Sequence, residues 1–110
     1  MQALSSDSQS VARKLTTLAR FYETRQASDL MQQTLNKLFD VEREDAQKDF
    51  DLLSRDLAEF EEKYGLNSTE FFRQFDSGRL GDDMDFFEWA ALYQMRERVR
   101  ERLELLATAE

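Results

Sequence analysis

Cysteine and histidine are both absent from these 110 residues. Without cysteine there is no disulfide, no thiol nucleophile and no thiolate metal site. Without histidine the usual neutral-pH base and the commonest metal ligand are missing too. Proline is also absent, and the three glycines stand at 65, 78 and 81, so almost nothing breaks a helix before residue 65. No apolar run approaches the roughly 20 residues of a membrane span. The opening MQALSSDSQS has no basic region leading into an apolar core, so it does not read as a signal peptide, and a cytoplasmic location is expected. Internal repeats and low-complexity tracts are absent as well.

Charge and apolar residues are what the chain does have. Charged residues make up 35%, 23 acidic against 15 basic, for a net charge of −8. Nucleic-acid binders carry a basic footprint, so this balance argues against the whole molecule gripping DNA or RNA. The sign is unevenly spread. Residues 1–38 hold Arg13, Lys14, Arg20, Arg25 and Lys37 against Asp7, Glu23 and Asp29, and the excess acid lies beyond them. An acidic body attracts basic partners and speeds their capture, or simply keeps a helical protein soluble. With 41% apolar residues and nine Phe the chain can build the core of one domain, of a size that leans easily on partners.

The periodicity is helical throughout, and the expected class is all-α. A frayed segment is expected over 1–7, followed by a first helix over 8–27 with Val11, Leu15, Leu18, Phe21 and Tyr22 on one face. Ser28 or Asp29 can cap the next helix, where Met31, Leu35, Leu38 and Phe39 form a stripe. A second stripe, Ala46, Phe50, Leu53, Leu57, Phe60 and Tyr64, steps by four and three, which is a heptad seam suited to a helical hairpin or a coiled coil. The segment DVEREDAQKD between the stripes is polar nearly all round. Residues 29–64 are therefore either one long helix or a bent one. Unbroken, it would span about 54 Å at 1.5 Å per residue, long for a lone domain of this size, which implies a partner or a homodimer.

Gly65 sits where a helix-ending residue belongs. Asn67 or Ser68 can cap a short helix over 68–76, Asn67 with Glu70 three residues on making a capping-box variant, and Phe71, Phe72 and Phe75 crowd onto it. After Gly78 and Gly81, which let the chain reverse, Asp82, Asp83 or Asp85 can start the last helix, 83–107. That helix carries two stripes: Phe86, Trp89, Ala90, Tyr93 and Leu92, Met95, Val99, Leu103, Leu106. The whole of 1–110 reads as one domain.

The stretch GRLGDDMDFFEW, residues 78–89, invites a metal or catalytic reading. With Gly81 at position 6 of a calcium loop, the oxygen-ligand positions 1, 3, 5 and 12 fall on Asp76, Gly78, Leu80 and Phe87, and three of the four fail. Consecutive acids at a helix start are explained by capping and the helix dipole. No nucleophile–base pair can be drawn, so no enzyme, metal or cofactor is expected. A DNA-binding helix-turn-helix wants a short glycine-containing turn, and the basic first third shows none. The aromatics are different. Phe71–Phe72 and Phe86–Phe87 are adjacent pairs that cannot both point inward from one helix, so one ring of each belongs to another surface, and aromatics anchor interfaces.

The string FEEKYGLNSTEFFRQFDSGRLGDDMDFFEWAALYQM, residues 60–95, resembles a pattern in small acidic helical proteins of bacteria, notably cyanobacteria, and of archaea. These are similar to the antitoxin components of toxin–antitoxin modules. The pattern runs F-x-x-K-Y-G, a short capped helix, G-x-L-G-D and aromatics closing on E-W, matched here by Gly78, Leu80, Gly81, Asp82, Phe87, Glu88 and Trp89. The resemblance implies a protein that binds a ribonuclease-like toxin and blocks it. The aromatic argument and the motif positions together give the candidate partner-binding set: Phe71, Phe72, Leu80, Asp82, Phe86, Phe87, Glu88 and Trp89. The leading expectation is a non-enzymatic antitoxin; the alternatives are a homo-oligomeric helical scaffold paired through the 46–64 seam and a carboxylate–metal enzyme.

Overall fold

The computed structural model describes residues 2–109, with side chains from Asp7 to Ala109. Four helices follow one another: α1 (Gln2–Glu23), α2 (Asp29–Tyr64), α3 (Ser68–Asp76) and α4 (Met84–Ala107). The all-α class and the order of long, short and closing helices are as expected from the sequence. α2 is unbroken over its 36 residues. The polar segment DVEREDAQKD offers neither Gly nor Pro nor a stop signal, so the helix runs through it. Ser28 caps it, its Oγ accepting the Met31 N–H at 3.1 Å.

α1 departs from expectation at both ends. It starts at Gln2, inside the stretch expected to fray, while Met1 lies outside the described residues. It stops at Glu23, not at 27, because Arg25 takes a left-handed backbone at φ +59°. The Gln26 N–H then reaches back to the Phe21 carbonyl at 2.7 Å and the Arg25 N–H to that of Tyr22 at 3.2 Å. That is a Schellman stop with a non-glycine residue in glycine's usual place. The first third therefore does contain a short interhelical turn, residues 24–28, which no glycine announced.

The chain divides into two packing units, 1–38 and 39–110, where one domain was expected. In the first, no side chain of residues 7–38 is buried, and Val11, Leu15, Tyr22, Leu30 and Leu38 are exposed.

In the second unit α4 runs back antiparallel along α2. Asp85 meets Lys63 and Tyr64, Trp89 stacks beside Phe60, Arg96 reaches Ser54 and the Phe50 ring, and Arg102 pairs with Glu42. The heptad seam is thus covered from within the chain. Ala46 and Leu57 are buried, and Phe50, Leu53, Phe60 and Tyr64 are half-buried. Within one chain the seam is thus already occupied by α4 along most of its length.

α3 packs on α4 and closes the core of Leu57, Phe71, Trp89 and Ala90. Burying each large apolar side chain there stabilises the fold by about 1.5–3 kcal/mol. Gly65, at φ +65°, and Gly78, at φ +77°, end α2 and α3. Behind Gly78 the Arg79 N–H bonds the Gln74 carbonyl at 3.1 Å, a second Schellman stop.

Candidate functional site

Around GRLGDDMDFFEW the acids do separate jobs. Asp83 caps α4, its Oδ1 accepting the Asp85 N–H at 2.9 Å, and Asp82 is exposed. Gly81 has no left-handed φ, and a Cβ there would meet open space. The reversal between α3 and α4 thus needs glycine at 78 and not at 81.

Asp85 does not serve as a cap. Its Oδ2 accepts from Lys63 Nζ and from the Tyr64 hydroxyl, both at 2.6 Å. The Lys63 hydrogen bond, then that of Tyr64, holds the Asp85 carboxyl below its usual range. The same carboxylate raises the Lys63 ammonium and the Tyr64 phenol above theirs. All three shifts move away from neutrality, and general acid–base work near pH 7 needs the opposite. The trio ties the end of α2 to the start of α4.

α3 is set by a similar division. Asn67 Oδ1 accepts the Glu70 N–H at 2.8 Å, the expected half of the capping box. The Ser68 N–H goes to Glu61 Oε2 on α2 at 2.8 Å. Glu70 turns its carboxylate onto Arg73 (2.8 and 2.5 Å) and Gln74 (3.2 Å), and these bonds, Arg73 first, lower its pKa to about 2.

Trp89 occupies the centre. It is fully buried, as is Phe71, whose ring stacks on it at 3.8 Å and 5°. Tyr64 lies at 5.6 Å. The indole N–H donates to Ser68 Oγ at 2.9 Å, and Ser68 is itself buried. This corrects the expectation that Trp89 and Phe71 face a partner: neither has surface left to offer. The adjacent-ring argument is resolved inside the chain. Phe72 stacks on Tyr93 at 4.9 Å and Phe86 tilts against Tyr64 and Phe71, both half-buried, as is Leu80. Phe87 alone among the paired rings stays largely exposed, at 51%, with its edge to Phe75. Beside it Met84 is 79% exposed, and Asp82 and Glu88 are exposed too. The partner-binding set thus splits into core residues and a small outer patch.

Sequence reasoning missed Ser68, the buried hydroxyl that satisfies the indole, because a serine after a cap reads as a helix start. It also missed Leu52, an apolar residue that belongs to neither stripe of α2. Leu52 and Met95 are both exposed and share a groove between α2 and α4 with Leu53 and Val99. Among the described residues no three acidic side chains converge as metal ligands, and none of the helices is long and apolar enough to cross a membrane.

Compared with protein-family models, curated proteins and solved structures, the chain matches none.

Proposed function

We propose that this chain is a non-enzymatic protein-binding module, an antitoxin that captures and blocks a basic, ribonuclease-like toxin. One observation carries the binding role: α1 keeps three of the five residues of its apolar stripe in solvent. Val11 is 52% and Leu15 51% exposed, with Tyr22 next along the face, and residues 7–38 contain no buried side chain. Leu18 and Phe21 are half-buried, and an amphipathic helix that leaves the rest of its apolar face uncovered offers it to another surface. The class of partner rests on two further supports. The acidic balance beyond residue 38 favours and steers a basic protein, and the 60–95 pattern resembles antitoxins.

The test is co-expression with the product of the neighbouring gene. That product should arrest growth alone and be silenced by this chain in a complex that survives purification. Val11→Glu with Leu15→Glu should weaken the complex about tenfold or more, as expected when a charge enters an apolar contact. A harmless neighbour, or no complex, sinks the reading. Normal binding by the double variant would remove α1 from it.

A further inference from the structure

The groove between α2 and α4 is a second, independent apolar surface, and its rims identify an occupant. Its volume is about 540 Å³, with Leu52, Leu53, Met95 and Val99 as apolar lining. Asp49 stands on the α2 side, Arg98 and Arg102 on the α4 side. α3 does not cover it. α3 packs over Phe86, Ala90 and Tyr93, and Ala90 and Val99 lie about two and a half turns apart on α4, hence on opposite sides of that helix.

The lining carries one acid, Asp49, on its α2 wall and two bases, Arg98 and Arg102, on its α4 wall. A surface with that polarity is complementary to itself after rotation by half a turn. The register fixes what would meet. Arg96 is level with Ser54 and Phe50, and Arg102 with Glu42, so Asp49 is level with the Arg98–Arg102 turn of α4. A two-fold axis parallel to the helices keeps every residue at its level and lays α2 of one copy over α4 of the other. Asp49 then faces Arg98 of the second copy, one turn from the Arg102 that pairs with Glu42 in its own chain, and Leu52 and Leu53 face Met95 and Val99. All neighbouring helices are antiparallel, which is the arrangement of a four-helix bundle.

We infer that the α2–α4 groove is a homodimer interface, closed by a second copy of this chain about a two-fold axis along the helices. Its residues are not those of the α1 stripe, and it borders the seam filled by α4, with which it shares Leu53. Its partner is the chain itself, so it can be tested without any toxin.

Sedimentation equilibrium of the full chain should show a dimer. Asp49→Arg places Arg against Arg twice per dimer, and Arg98→Asp places Asp against Asp twice. Each alone should weaken dimerisation about tenfold or more through like-charge contact. Mixed in equal amounts, the two variants restore both opposite-charge contacts between chains, and the heterodimer should recover near wild-type affinity. Repair within a chain cannot give that result, because each variant carries only one change. Both positions are exposed, and circular dichroism should show unchanged helicity. A monomeric wild type overturns the inference, as does a mixture no tighter than its components. Leu52→Glu supplies a control on the apolar lining: a dimer that tolerates it lies elsewhere.

Discussion

Replacing Ser68 with alanine removes one hydroxyl and leaves the Trp89 indole N–H buried without its acceptor at 2.9 Å. An unsatisfied buried donor costs about 1–3 kcal/mol, and each kcal/mol shifts the midpoint of a domain this size by about 4–8 °C. Ser68→Ala should therefore lower Tm by at least about 4 °C in a thermal melt. Trp89 is the only tryptophan, so its emission reports the site directly. The native protein should emit at the short wavelengths of a buried indole, and Ser68→Ala should keep that emission while melting earlier. A melt unchanged by the substitution would mean that the hydroxyl is not the donor's partner. The same residue shows the limit of reading sites from composition. Aromatic density next to acids suggested a docking surface, but Trp89 and Phe71 spend their area on each other.

At the scale of elements, two carboxylates set how the helix junctions respond to acid. Glu70 is held at a pKa of about 2 by Arg73 and Gln74, and Asp85 is lowered by Lys63 and Tyr64. A depressed folded-state pKa contributes stability that is present above the unfolded value and lost as pH falls through the folded one. Stability should accordingly be steady near neutrality and fall from about pH 4.5 downward, the Glu70 contribution running out near pH 2. Glu70→Gln and Asp85→Asn should each flatten that fall, as read from melts across the range. Salt should shrink the Glu70 part, since its charged partner Arg73 stands in solvent and is screened. Much of this scale was legible beforehand. Gly65, Asn67, Gly78 and Asp83 act where their chemistry placed them, because caps and stops are local. The end of α1 was not legible, because Arg25 adopts a left-handed conformation that costs a non-glycine residue about 1 kcal/mol and leaves no mark in the sequence. Nor was the α4 partner of the seam, since a heptad pattern specifies that something packs and not what.

For the molecule as a whole, the two units differ in the source of their helicity. Residues 39–110 hold their helices against a buried aromatic core, whereas no side chain of residues 7–38 is buried. Helices without tertiary burial are marginal in water, and amide protection follows the free energy of local opening. One helix crosses both regimes, because α2 begins in the first unit and ends in the second. Hydrogen exchange should then show a gradient along a single unbroken element. Amides of 29–38 should exchange with those of α1, about tenfold or more faster than those of 53–64 and of 86–96. Dimerisation through the α2–α4 groove should slow exchange near 49–53 and 95–102 with rising concentration and leave 8–23 unchanged. A captured partner on the α1 stripe should do the reverse. Uniform protection from 8 to 106 in the isolated chain would contradict this picture, since it would require the Val11–Tyr22 face to be covered already.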